Sequence, residues 1–204
     1  MLVINNLRNG LNRKVWLVQV EMELNVSNLS VAFGFKLVID NLSFRLRQGQ
    51  VLQIKGANGV GKSVLLQTID KGHKAIENGF STLLINQNDG IKPELLVREQ
   101  LAFWTGLAQR QPCLQSWNLP MDSPIQHISL GQKQRLSLSR LDILDSDLWL
   151  LDEPYHGLDS AGQNILNDKI LNKTITGSVI IVSHNALNLP VDQIIELPEV
   201  CGNA

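Results

Sequence analysis

The chain has 204 residues, with 18 Lys plus Arg against 19 Asp plus Glu; the formal net charge of −1 gives no general electrostatic basis for binding nucleic acid. Its 44% hydrophobic content excludes a disordered polymer, and no uninterrupted apolar run approaches the roughly 18 residues that cross a bilayer. Cys113 and Cys201 stand far apart, and His73, His127, His156 and His184 form no local cluster, so neither a disulfide framework nor a zinc site is expected.

Residues 1–21 carry Arg8, Arg13 and Lys14 but no acid before Glu21, and lack the compact apolar core of a secretory signal. They read as an extension with poor order up to about Val20, because Met22 opens the first clean strand pattern. From Leu24 to Leu52 apolar residues recur at alternate positions between Gly34 and Gly49, which predicts β-strands joined by tight turns. Val64 to Ile69 has helical spacing, Leu83 to Ile85 reads as a strand, and Glu94 to about Trp117 reads as a helix. Gly131 to Leu144 is expected to be helical, Leu148 to Leu151 a strand, Ala161 to Leu171 a helix, and Val179 to Val182 and Gln193 to Leu197 the last strands. Strands apolar on both faces, alternating with helices, imply an α/β fold with a parallel sheet covered on both sides.

Two motifs carry chemistry. Gly56-Ala57-Asn58-Gly59-Val60-Gly61-Lys62-Ser63 matches G-x-x-x-x-G-K-[ST] at every fixed position, between a strand and a helix. Its glycines let successive N–H groups converge on an anion, aided by the positive end of the following helix. Lys62 is placed to reach the β- and γ-phosphates of a nucleotide, and the Ser63 hydroxyl to take a Mg²⁺ position. A plain glycine turn is the bland alternative, outweighed by the strand and helix around the motif. Downstream, Asp152 and Glu153 follow a four-residue apolar strand, at the strand end where open α/β sheets hold their ligands. Asp152 suits a Mg²⁺-bound water, and Glu153 suits polarising a water for attack on the γ-phosphate.

In this order and context the chain resembles the ATP-binding subunits of ABC transporters, over roughly Glu23 to Leu197. Ile128-Ser129-Leu130-Gly131-Gln132 stands where that family has L-S-G-G-Q, Gly157-Leu158-Asp159 resembles its D-loop, and Val182-Ser183-His184 its switch histidine. Phe33, 29 residues before Lys62 (62 − 33), is similar in place to the aromatic that stacks on adenine, although a strand Phe also suits a core. The resemblance implies a P-loop NTPase of ABC type with a shortened antiparallel β-subdomain. It implies one such domain over residues 22–200, a helical subdomain at about 93–140 and a tail at 201–204. It also implies ATP and Mg²⁺ as cofactors and a homodimer in which Ser129, Gly131 and Gln132 meet the nucleotide held by the other copy. Asp159 joins the nucleotide-binding set, and His184 contacts the γ-phosphate and holds the attacking water.

Two departures stand out. Leu130 replaces the usual glycine and is expected to crowd the signature loop and lower turnover. The Mg²⁺-linking glutamine falls on Gln87, only 25 positions after Lys62 (87 − 62), or on Asn88 when Gly90-Ile91-Lys92 is aligned without a gap.

Compact length, the run from Asp89 through Trp104 and the segment Ser129 to Leu141 resemble the haem-exporter, or cytochrome c maturation, branch of the family. That likeness implies two polytopic membrane subunits as partners and only indirect dealings with haem. It places the chain peripherally on the cytoplasmic face of a bacterial inner membrane or the matrix side of a mitochondrial one. Another small transporter, or a non-transport regulatory or assembly protein with weak hydrolysis, is the alternative. Phe103 and Trp104 fit either a groove for a membrane partner or the core of the helical subdomain.

Overall fold

The computed structural model describes residues 2–8, 14–20, 23–77, 80–86, 90–108 and 117–198. Ten strands are defined among them: β1 (Leu2–Arg8), β2 (Lys14–Val20), β3 (Glu23–Phe33), β4 (Lys36–Arg47), β5 (Val51–Lys55), β6 (Ile76–Glu77), β7 (Thr82–Ile85), β8 (Leu148–Asp152), β9 (Ser178–Val182) and β10 (Gln193–Glu196). Five helices accompany them: α1 (Lys62–Lys71), α2 (Val97–Ala108), α3 (Leu130–Leu138), α4 (Arg140–Ile143) and α5 (Ser160–Lys173).

The central sheet is parallel throughout, in the order β10-β5-β9-β8-β7. Residue parity divides its side chains between two cores, because alternate residues of a strand point to opposite faces. Leu52, Ile54, Leu148, Leu150, Ile180 and Val182 pack with Leu65, Leu66 and Ile69 of α1. Val51, Trp149, Leu151, Val179 and Ile181 pack on the opposite face with Leu166 and Ile170 of α5. The expectation of a sheet covered on both sides is met. A second sheet, antiparallel β4-β3-β6, adds Leu24, Val26, Leu29 and Leu46 to the first core. Its long β3–β4 pairing shifts register three times, and Asn28 and Asn41 take positive φ there (52° and 50°), a conformation asparagine tolerates better than most residues.

Residues 2–8 and 14–20, within the segment expected to be poorly ordered, form an antiparallel ribbon that pairs with neither other sheet. Lys14-Val15-Trp16-Leu17-Val18-Gln19-Val20 is rich in the β-branched and aromatic residues that favour strands.

Two helices also differ from expectation. The stretch from Gly131 to Leu144 breaks at Ser139, whose hydroxyl donates to Leu136 O at 2.6 Å and draws the ladder towards the i−3 carbonyl. The helix expected from Glu94 begins at Val97, where Glu99 accepts from Leu96 N at 2.9 Å and caps the first turn. Trp117, expected at the far end of that helix, is instead fully buried in the second core, its Nε1 donating to Asp142 Oδ2 at 2.7 Å. Val97, Leu101, Trp104, Ile125, Ile128, Leu136 and Ile143 form a third core. Trp104 thus belongs to the helical layer's interior, while Phe103 stays 47% exposed.

Candidate nucleotide-binding and hydrolysis site

Three parallel strands end side by side, and each delivers one part of the site. The loop Gly56 to Ser63 follows β5, Asp152 ends β8 with Glu153 next, and His184 lies two residues beyond β9. The ends are laced together by backbone: Glu153 N donates to Val182 O at 3.0 Å and Ser183 N to Ile54 O at 3.3 Å.

The loop's glycines are required by its shape. Gly56, Gly59 and Gly61 have φ of 144°, 78° and 109°. A Cβ on Gly56 would stand 2.9 Å from Leu197 O, and one on Gly61 3.2 Å from Val38 O. Lys62 is buried, its ammonium donating to Gly56 O at 2.8 Å and Ala57 O at 2.9 Å and lying 3.2 Å from His184 Nε2. To hold a phosphate it would have to exchange these carbonyls for phosphate oxygens. Ala57, Asn58, Gly59 and Ser63 are exposed around it, and Val60 packs into the first core.

Glu153 takes φ of 46°, in the left-handed region that costs a non-glycine residue free energy. Its buried Oε1 lies 3.2 Å from His184 Nε2 without the alignment of a hydrogen bond and has no hydrogen-bond partner. Burial raises its carboxyl above the ordinary glutamate value, against the opposing pull of His184 and Lys62. Burial likewise lowers Lys62, partly offset by Glu153 and Asp152. An open cleft of about 500 Å³ adjoins Glu153 and His184, with Asn58, Tyr155, Gln163 and Asn188 on its walls.

The chemistry of the oxygen donors suits Mg²⁺: Ser63 is exposed, Asp152 is half-buried, and Glu153, next in the chain, carries a buried oxygen without a hydrogen-bond partner. Among the described residues no group of three or more His, Cys, Asp or Glu could by itself hold a metal ion. Gln87 and Asn88 lie outside the described residues.

The second group of expected residues forms a separate unit. Ser129 N-caps α3 in a capping box, its hydroxyl accepting from Gln132 N at 3.2 Å while Gln132 Oε1 accepts from Ser129 N at 2.9 Å. Gly131 is where backbones nearly touch, since a Cβ there would stand 2.6 Å from Gly157 O. The Leu130 side chain lies beside Gly157, its Cγ 3.4 Å from where a Gly157 Cβ would sit. Asp159 caps α5 by accepting from Gly162 N at 2.8 Å and pairs with Arg135 at 2.5 Å; the Gly162 N–H first, then Arg135, holds its carboxyl below the usual aspartate value. Gln134 Nε2 donates to Pro154 O at 3.0 Å. Sequence reasoning missed the tying roles of Gln134 and Arg135, whose signal was two polar residues turned inward on α3.

Phe33 is 77% exposed at the tip of the β3–β4 hairpin, so it is no core residue. Phe35, across the turn, is fully exposed as well and went unremarked in the sequence. His156 is exposed in the loop after Glu153.

Comparison with known proteins follows this geometry. The ABC transporter family model matches residues 39–156, more than half of the chain. The chain belongs to the ABC transporter family. It is also similar to the cytochrome c biogenesis ATP-binding export protein CcmA of Cereibacter sphaeroides (34% identity, covering 86% of this chain and 89% of that protein). The protein of the same description from Paracoccus denitrificans is 33% identical over 85% of this chain and 88% of its own length. Among solved structures, an ABC-transporter ATP-binding protein from Pyrococcus furiosus superposes with a TM-score of 0.71 at 21% identity, covering 86% of this chain and 97% of that one. An ATP-binding subunit of another ABC transporter gives 0.66 at 21% identity, covering 79% of each chain. The ABC fold expected from the motifs is therefore the fold present, and the chain is an ABC-type ATPase.

Proposed function

We propose that this ABC subunit hydrolyses ATP for a membrane export complex serving cytochrome c biogenesis, with haem handled by its partners. The observation that carries the reading is the meeting of Lys62, Glu153 and His184 within 3.2 Å contacts of His184 Nε2, beside a loop shaped for phosphate. The relatives' printed function, at 33–34% identity over most of the chain, supplies the export context.

In this reading the amides of Gly56 to Lys62 and the Lys62 ammonium bind the triphosphate, and Phe33 stacks on the base. Ser63 and Asp152 hold Mg²⁺, with Gln87 or Asn88 completing the link. When bound, Mg²⁺ neutralises charge on the β- and γ-phosphates. Glu153, desolvated and poised by burial, takes a proton from the attacking water, while His184 orients that water and contacts the γ-phosphate. A second copy presents Ser129, Gly131 and Gln132 to the same phosphate, and its Asp159 flanks the site. Two polytopic membrane subunits are the partners. Among the described residues no helix is long and apolar enough to cross a membrane, which fits peripheral attachment to the cytoplasmic face of a bacterial inner membrane or the matrix side of a mitochondrial one.

The test is purification of the tagged chain from native membranes, followed by ATPase assay. Polytopic subunits that co-purify and are required for cytochrome c assembly support the reading; a chain that purifies alone, with cytochrome c assembly intact after its deletion, overturns it.

A further inference from the structure

β5 contains one polar residue inside an otherwise apolar run, Val51-Leu52-Gln53-Ile54. Gln53 is 1% exposed in the middle of the parallel sheet, flanked by Ile194 of β10 and Ile181 of β9. A buried amide there costs free energy unless its donors are used. They are used on one loop: Nε2 donates to Asn185 O at 2.7 Å and approaches Ser183 O at 3.5 Å. These two carbonyls bracket His184. The same loop is tightened by Ser183 Oγ, which accepts from Asn185 N at 3.3 Å. The His184 side chain is 40% exposed, so its ring is enclosed only in part and its backbone is a second point of control.

We infer that Gln53 is a positioning residue for His184. β5 runs directly into the phosphate loop, so one strand sets both the Lys62 loop and the carbonyls that aim His184 at Lys62 and Glu153. The rigid sheet thereby fixes the 3.2 Å approaches on either side of Nε2, and an apolar residue at 53 leaves the 183–185 turn free to drift. A misplacement of about 1 Å in a catalytic group is enough to cost on the order of 100-fold in rate.

The inference rests on the reading of His184 as the residue facing the γ-phosphate and attacking water, and the test separates the two. Full-length wild type, Gln53→Met, His184→Ala and the double variant are compared for kcat, Mg-ATP affinity by equilibrium binding, and thermal midpoint. The expected result is a loss of roughly 10–100-fold in kcat for Gln53→Met. Mg-ATP affinity holds within about twofold, and no further kcat loss appears on adding Gln53→Met to His184→Ala. A purely structural role would lower the midpoint and multiply with His184→Ala instead, and that outcome overturns the inference. Should Gln53→Met not fold, Gln53→Asn, whose amide falls one methylene short of Asn185 O, is expected to show the same non-additive pattern; failure of both to fold assigns Gln53 to the core alone and also overturns it. If His184→Ala retains full activity, the reading of His184 fails first, independently of how Gln53 behaves.

Discussion

The two halves of the proposed catalytic machinery are built in opposite ways. Around Lys62, groups from β5, β8 and β9 converge, and burial shifts both Lys62 and Glu153 from their ordinary values. Around Ser129, the capping box closes within α3 and Gln134 ties the helix to the loop after Glu153, while the helix start stays at the surface. The first region gathers shifted charges from three strands; the second is a surface whose one described ion pair, Arg135 with Asp159, is already matched within it. In the proposed reading such a chain would bind the nucleotide tail by itself and need a second copy to finish the reaction, so affinity and turnover would be governed by different residues.

That contrast can be broken most severely at Glu153. Glu153→Gln is expected to lower kcat about 10²–10⁴-fold while Mg-ATP binding persists, as measured by steady-state hydrolysis beside equilibrium binding. Retained hydrolysis would remove Glu153 as the base. Next, Lys62→Ala should weaken Mg-ATP binding by about 30-fold or more, because it leaves buried phosphate charge without its partner. Ser129→Ala sharpens the comparison: roughly tenfold slower hydrolysis is expected, with Mg-ATP affinity of the single chain unchanged. An affinity loss equal to that of Lys62→Ala would mean the two regions are one site. Gly131→Ala, by contrast, forces a Cβ against Gly157 O and should cost about 1–3 kcal/mol of stability, read from denaturant midpoints.

The smallest expected effects concern pH. Glu153 must be ionised to accept a proton, and burial raises its folded-state value, so kcat should fall on the acid side above the usual carboxylate range. That limb should be missing from the residual activity of Glu153→Gln. For stability, the folded chain holds this proton more tightly than the unfolded one. The contribution is therefore full below the ordinary glutamate value and is lost as pH rises through the raised one. Glu153→Gln should accordingly raise the thermal midpoint at neutral pH and leave it unchanged in acid, as read from thermal melts at the two pH values.

Much of the assembled region was legible because its chemistry is local in the chain: a glycine loop between strand and helix, and acids after an apolar strand, are contiguous patterns. The α/β class followed from apolar periodicity for the same reason. What escaped reading depends on contacts across the fold. Ser139 breaks a helix that periodicity ran straight through, because its hydroxyl competes for a carbonyl. Trp117 sits in a core under α5 rather than at a helix end, since Asp142 offers its indole a partner. Gln134 and Arg135 look like ordinary polar residues of α3 until Pro154 O and Asp159 are brought beside them. The exposure of Phe33 and Phe35 equally required the hairpin's position, since alternation alone made Phe33 as good a core residue as a base-stacking one.

Leu130 shows how such a surface absorbs change. Its side chain is exposed and leans on Gly157, while the capping box between Ser129 and Gln132 stays intact at the start of α3. The bulk of leucine is thus taken up sideways against the neighbouring loop, where a Cβ on Gly157 would touch it at 3.4 Å.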